Sequence, residues 1–253
     1  MPYLFATQDQ PYTDFASGRV IYNAPGMPAF PVRLASEMFQ RARALLPGAG
    51  RLVVYDPTCG GAYHLAALGL LHGAHIGAIL ASDVDEAALE TARRNLGLLI
   101  PAGLDRREAE IRALLEQYGK DSHREALRSV AVFRQYLEQA APIATRAFAA
   151  NALDAGEISA GLAGQRVDLV LADVPYGHLS QWRTPVNPPE DAARQTPLWH
   201  MLDALLAVLP SGALVAVALD KSQKAAHGGY RRVEHFQVGK RRVALLRRAD
   251  STA

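Results

Sequence analysis

Leu52-Val53-Val54-Tyr55-Asp56-Pro57-Thr58-Cys59-Gly60-Gly61-Ala62-Tyr63-His64-Leu65 is the stretch from which the rest of the chain is read. A β-branched run, Val53-Val54-Tyr55, stops at Asp56-Pro57. Thr58-Cys59-Gly60-Gly61-Ala62 follows, then an apolar pattern at helical spacing through Leu65, Leu68, Gly69 and Leu71. This order reads as a strand, a tight glycine turn and a helix start, whose main-chain N–H groups can close on a ligand. Gly60 and Gly61 carry no Cβ, so a nucleoside can lie against the backbone. An ordinary βα turn of an α/β domain fits the same residues.

The next strand narrows the choice. Ala78 to Ser82 ends at Asp83, followed by Val84-Asp85-Glu86 and a helix from Ala88 to Leu99. An acid about 20 residues past a glycine turn, at the end of the second strand, is where a ribose diol meets a carboxylate. Asp85 reads as the cap of the helix, accepting an otherwise unpaired N–H. Nicotinamide-dinucleotide and S-adenosylmethionine sites both satisfy this geometry, and the lack of a G-x-G-x-x-G spacing weighs against the first.

Composition bounds the class. A chain of 253 residues, 49% of them hydrophobic, can bury a large core. No run approaches the roughly 18–20 apolar residues of a membrane span, and the start, MPYLFATQDQ, lacks the basic region and apolar core of a signal peptide. One cysteine excludes an intramolecular disulfide and argues against thiolate zinc; the eight histidines form no H-x-x-x-H pairing, so no metal site is read. A cytoplasmic monomeric enzyme is expected. The net charge is +2, but residues 221–253 carry nine Lys/Arg against Glu234 and Asp250, which leaves the remainder acidic. That asymmetry fits a polyanion partner on the C-terminal side, or a basic rim that only aids solubility.

Residues 1 to about 18 lack a period and read as an extended arm. Pro31 suits the first turn of a helix whose stripe is Leu34, Ala35, Met38, Phe39, Ala42, Leu45 and Leu46. After Pro101 come two helices, Leu104–Tyr118 closed by Gly119, and a second opened by a capping box at Ser122-His123-Arg124-Glu125. Their seven basic and seven acidic residues between Leu104 and Gln139 suggest a neutral wall beside the site. Strands follow at Ile143–Ala150, Val167–Ala172 and Ala213–Leu219. A helix from Thr196-Pro197 precedes the last of these, and a hairpin of Val233–Val238 and Arg242–Leu246 ends the pattern. The alternation predicts an α/β fold: a mostly parallel sheet with helices on both faces and a C-terminal antiparallel hairpin. Asp56, Asp83, Asn151 and Asp173 then fall at the carboxyl ends of strands, where such sheets bind ligands. We divide the chain into an N-terminal arm and helix, 1–50, and a catalytic domain, 51–253, with a helical insertion at 101–141.

Asp173-Val174-Pro175-Tyr176 resembles the (D/N/S)-P-P-(Y/F) signature of amino-methyltransferases of the class I, Rossmann-like S-adenosylmethionine family, with Val174 in place of the first proline. The lone pair of a base's exocyclic amine is drawn into the ring. Asp173 and the Val174 carbonyl, each accepting one of its N–H bonds, would draw that nitrogen toward the methyl donor; Pro175 would set the turn and Tyr176 would stack on the base, worth about 1–3 kcal/mol.

The chain is also similar, over nearly its full length, to the avilamycin-resistance guanine-N2 methyltransferases of large-subunit (23S) ribosomal RNA. The similarity lies in Ala24-Pro25-Gly26-Met27-Pro28-Ala29-Phe30-Pro31-Val32-Arg33-Leu34-Ala35, Phe39-Gln40-Arg41-Ala42, Asp56-Pro57, Leu68-Gly69-Leu70-Leu71-His72, Ala81-Ser82-Asp83-Val84-Asp85 and the Asp173 tetrapeptide. It implies a seven-stranded class I sheet and S-adenosylmethionine as cofactor, held by Asp56, Pro57, Thr58, Cys59, Gly60, Gly61, Ala62, Asp83, Val84, Asn151 and Ala152. Ala62 stands where the family's DPxCGxG motif has glycine, and Asn151 where an aspartate is common. Arg33, Lys221, Lys224, Lys240 and Arg241 are the candidate RNA contacts. Adenine N6 or a protein glutamine remain alternative amines for the same tetrapeptide, and a non-catalytic RNA-binding factor of the same fold is a third reading. Cytosine C5 chemistry needs a cysteine nucleophile, and Cys59 sits in the cofactor turn.

Overall fold

A computed structural model describes residues 3–7, 12–16, 18–23, 29–46, 48, 50–174, 182, 196–221 and 223–249. Pro175 and Tyr176 of the signature, residues 24–28 of the pre-helix segment and the last four residues lie outside them.

Seven strands form one sheet: β1 (Leu52–Asp56), β2 (Ile76–Asp83), β3 (Ala144–Ala149), β4 (Leu169–Asp173), β5 (Leu214–Asp220), β6 (Tyr230–Val238) and β7 (Arg241–Arg248), in the order β3-β2-β1-β4-β5-β7-β6. β1 to β5 pair in parallel, and β7 runs antiparallel to both β5 and β6. This is the expected class I arrangement. A parallel strand covered on both faces must be apolar throughout, and β5 obeys the rule from Leu214 to Leu219, all without exposed surface.

The helices divide between the faces. On one, α1 (Val32–Ala44), α2 (Tyr63–His72), α3 (Glu86–Gly97) and the paired α4 (Pro101–Tyr118) and α5 (Asp121–Glu138) share a core with Val54, Leu171, Ala218 and Val243. On the other, α6 (Ala155–Leu162) and α7 (Pro197–Val208) cover Tyr55, Val170, Val217 and Ala244. Several ends are capped as the residue types demand. Asp85 accepts Ala87 N–H at 2.9 Å, Thr196 accepts Trp199 N–H at 3.2 Å, and Gly119 closes α4 at φ 64°. The insertion leaves α3 tightly, because a Cβ on Gly103 would lie 1.9 Å from the Gly97 carbonyl oxygen.

Three expectations need correction. The Ser122–Glu125 capping box does not form: α5 starts two residues earlier, at Asp121, with Lys120 at its cap and no side-chain capping bond, and Arg124 donates instead to Gly119 O and Asp121. α6 was not read from sequence; Asp154 caps it by accepting the N–H groups of Gly156 and Glu157. The arm is tied down rather than extended, since the buried Glu37 carboxylate accepts N–H from Leu4, Phe5 and Ala6 at 2.6–3.0 Å. A short 3-10 turn, Thr13–Phe15, then places Phe15 against Phe133 at 5.0 Å between ring centres.

Candidate active site

The strand order reverses between β1 and β4, which opens a crevice at the carboxyl edge. Asp56 closes β1 with no exposed surface. Its Oδ1 accepts Thr58 N–H at 2.9 Å and the Thr58 hydroxyl at 3.2 Å, and its Oδ2 lies 3.0 Å from His64 Nε2, near the start of α2. Asp56, expected to bind cofactor, is thus enclosed beneath the turn and shapes it from below. Burial disfavours a charged His64, but the Asp56 carboxylate outweighs it and holds the imidazole pKa above its ordinary value.

The turn is held from three more sides. Cys59 N–H donates to Ser82 O at 3.0 Å, Gly60 N–H to Asp83 Oδ2 at 2.9 Å, and Asn95 Nδ2 to Gly61 O at 2.7 Å. Gly60 sits at φ 51° and Ala62 at φ 52°. For alanine this left-handed conformation costs about 1–2 kcal/mol, so the turn carries strain at the position where the motif has glycine. Burial, with Asp56 and Asp83 nearby, pushes the Cys59 thiol well up and keeps it protonated.

Asp83 is half-buried at the end of β2, with Gly60 N–H on one oxygen and Asp85 N–H on the other at 3.0 Å. Burial pushes its pKa up, against the pull of those donors. Val84 beside it is half-buried. Each Asp83 oxygen keeps a lone pair for a hydroxyl, and the main chain of Gly60 and Gly61 lies alongside, so this edge fits an adenosyl group. At the end of β3, Asn151 Oδ1 accepts Leu153 N–H at 3.0 Å, and Ala152 is buried.

Asp173 ends β4 opposite Ala218 of β5, and Val174 N–H donates to Ala218 O at 3.3 Å. The Asp173 side chain is 23% exposed, and its Oδ1 is buried without a hydrogen-bond partner among the described residues. Arg241 Nη2 lies 3.9 Å from its Oδ2. Burial raises the Asp173 pKa to about 6, with Arg241 and His64 pulling it down and Asp56 pushing it up. The Arg241 guanidinium sits 5.0 Å from the centre of the Phe30 ring, which is 5.6 Å from the His64 ring. Asp56, His64, Phe30, Arg241 and Asp173 therefore form one cluster under the crevice. His64 and Phe30 were given no role from sequence. The one available signal was alternation: Arg241 pairs with Asp220, in phase with the Ala218–Asp173 pair.

The candidate RNA contacts separate. Lys221, Lys224 and Lys240 are exposed and lack an acidic partner among the described residues. The Asp220–Arg241 pairing puts the Gly239-Lys240 turn beside the end of β5, on the crevice edge. Arg241 belongs to the Asp173 cluster. Arg33 is engaged by the arm: its Nε donates to Ala6 O at 3.0 Å, its Nη2 to Thr7 O at 3.2 Å, and its guanidinium stacks 4.2 Å from the Tyr3 ring centre.

Comparison with known proteins agrees with this geometry. The family model described as rRNA methyltransferase AviRa matches residues 1–241. A curated relative from Streptomyces viridochromogenes, named 23S rRNA (guanine(2535)-N(1))-methyltransferase, is 43% identical over 241 residues, covering 94% of this chain and 92% of its own. Two solved structures of rRNA methyltransferase AviRa from the same organism, at 2.4 and 1.5 Å, superpose with a TM-score of 0.86 at 40% identity, covering 98% of this chain and 96% of theirs. The sheet order, the glycine turn and the match along almost all of its length place this chain in the AviRa family of rRNA methyltransferases.

Proposed function

We propose that this protein methylates a guanine of 23S ribosomal RNA at ring nitrogen N1, with Asp173 accepting the N1 proton. The observation that carries the reading is the Asp173 carboxylate at the end of β4, buried on one oxygen and facing Arg241 at 3.9 Å on the other. The N1 lone pair of guanine becomes nucleophilic once its proton is lost. A carboxylate whose pKa is raised to about 6 is a better base than an ordinary one and is still ionised at pH 7. S-adenosylmethionine, when bound, supplies a methyl group on a sulfonium that departs as a neutral thioether.

The chain's residues provide position and electrostatics. Asp83 accepts the ribose hydroxyls, the turn from Pro57 to Ala62 lies against the adenosyl group, and Val84, Asn151 and Ala152 border the adenine. Asp173 removes the proton, and Arg241 keeps Asp173 ionised. Pro175 and Tyr176 set the loop and stack on the target base. Lys221, Lys224 and Lys240 meet RNA phosphates. The neutral insertion is a wall beside the crevice. The protein works as a cytoplasmic monomer, and its product protects the ribosome from an avilamycin-type drug.

N1 is favoured over the N2 amine by the specificity in the name of the Streptomyces viridochromogenes relative, a guanine-N(1) methyltransferase. N2 methylation is the second reading, favoured by the amine-type tetrapeptide at Asp173. Nucleoside mass spectrometry of unmodified 23S rRNA treated with enzyme and cofactor separates the two: 1-methylguanosine supports N1, N2-methylguanosine moves the reaction to the amine, and methylated adenosine ends both. Drug susceptibility of cells with and without the active enzyme tests the protective role.

A further inference from the structure

The outer strand of the sheet carries a second basic feature, on the face opposite the Asp173 cluster. Arg232 pairs with Leu246, His235 with Ala244 and Gln237 with Arg242. Cross-strand partners project to the same side, and Ala244 and Leu246 point into the core under α7. Arg232, His235, Gln237 and Arg242 therefore share that side, where they line a concavity of about 380 Å³ together with Phe236.

The charges here are unbalanced, whereas several arginines elsewhere are neutralised. Arg94, Arg107, Arg112, Arg124 and Arg134 each meet a carboxylate. Among the described residues, Arg232, Arg242 and His235 meet none. The acid of β6, Glu234, pairs with Leu245 and so points to the other face, where it binds Arg41. Two forked donors and an imidazole around a hollow, with the local carboxylate turned away, suit a phosphate.

Position supplies the source of that phosphate. Arg242 follows Arg241, which faces Asp173, and the two side chains leave the strand on opposite sides. Arg242, on the lining of the hollow, is thus the chain neighbour of the residue that faces Asp173, and the exposed Lys240 precedes both in the β6–β7 turn. We propose that this concavity binds a phosphodiester of the RNA strand flanking the target nucleotide. The inference rests on the rRNA methyltransferase reading above and adds a backbone subsite to it.

The test measures binding of an unmodified 23S rRNA transcript between 50 and 200 mM salt. Loss of one or two phosphate contacts lowers the slope of log K against log salt by roughly 0.7–0.9 each. Arg232→Gln with Arg242→Gln is expected to reduce the slope by about one to two and to weaken binding about tenfold at 100 mM salt. Cofactor affinity and kcat at saturating RNA stay at wild-type values. Arg232→Lys with Arg242→Lys is expected to keep most of the slope. Arg232→Gln alone, at an exposed edge position, is expected to give about half the effect and guards against misfolding of the double variant. A slope equal to wild type in the Gln variants, while the wild type binds and methylates RNA, overturns the phosphate subsite alone. A wild type that neither binds nor methylates rRNA overturns the underlying reading as well. Competition by poly-glutamate as strong as by polyphosphate would also overturn it, in favour of an acidic protein partner.

Discussion

Replacing Arg241 with glutamine removes the cation 3.9 Å from the Asp173 carboxylate. At that separation a unit charge pair is worth ~1 kcal/mol in water and ~4 kcal/mol at an effective dielectric of 20. Both side chains are 23% exposed, so the interaction falls between these limits. At 1.36 kcal/mol per pKa unit, the loss raises the Asp173 pKa by roughly one to two units. In the wild type, methyl transfer rises with pH through about 6 as Asp173 ionises. In Arg241→Gln the acidic limb should move to between about 7 and 8, so the rate at pH 7 falls roughly two- to tenfold and returns as pH approaches 9. Arg241→Lys restores the charge and should hold the limb near its wild-type position. The assay is kcat/KM for labelled methyl transfer to unmodified 23S rRNA from pH 5 to 9. An unmoved limb in Arg241→Gln, or a loss that alkaline pH fails to repair, refutes the assignment of Arg241 as the residue that sets Asp173.

Asp173→Asn should abolish turnover yet raise stability. A carboxyl whose folded pKa lies above its unfolded value costs stability as pH rises from about 4 to about 6, so removing it gains about 1–2 kcal/mol at pH 7 after allowance for partial exposure. Thermal melts showing no gain, or a gain that persists unchanged at pH 4, would contradict this. His64→Ala strands the buried Asp56 carboxylate and should cost about 3–5 kcal/mol in denaturant unfolding; a loss under about 1 kcal/mol would show that the pair is not ionised. Glu37→Ala removes the acceptor for three main-chain N–H groups of the arm. It should expose residues 3–7 to protease while methyl transfer persists, and an arm as resistant as wild type would overturn the tether. The sign for Glu37 follows from its pKa: burial raises it, but the Ala6, Leu4 and Arg41 donors prevail and hold it low, so the tether weakens as pH falls through the folded value.

The sheet was legible because each parallel strand is an apolar run ended by a polar residue at the carboxyl edge. β1, β2 and β4 end on Asp56, Asp83 and Asp173, and those positions located the crevice. α6 was missed because its eight residues, Ala155–Leu162, bury only Ile158 and Leu162, too few to show a period. The Ser122 capping box failed because Asp121 is already helical, so the spacing marked the first turn rather than the cap. Asp56 looked like a ligand group because a strand-end carboxylate usually faces the crevice; it is enclosed because His64, eight residues later, returns above it. Arg33 and Arg241 were grouped with surface cations since sequence gives charge but not partner. Main-chain acceptors of the arm claim Arg33, and Asp173 with Phe30 surrounds Arg241. These partners lie 26 or more positions away, beyond any local pattern.

β7 begins with Arg241-Arg242 and ends with Arg247-Arg248, and each doublet splits across the sheet. Arg247 donates to Leu45 O at the end of α1, and Arg248 to Leu206 O in α7. Sliding the strand by a single position would still deliver a guanidinium to both sides at both ends. Charge therefore cannot tell the correct phase from the slipped one. The distinction rests on volume: Val243 and Leu245 fill one layer while Ala244 and Leu246 fill the other. Enlarging Ala244 is consequently the change that would erase the strand's own marker of alignment, with every arginine left in place.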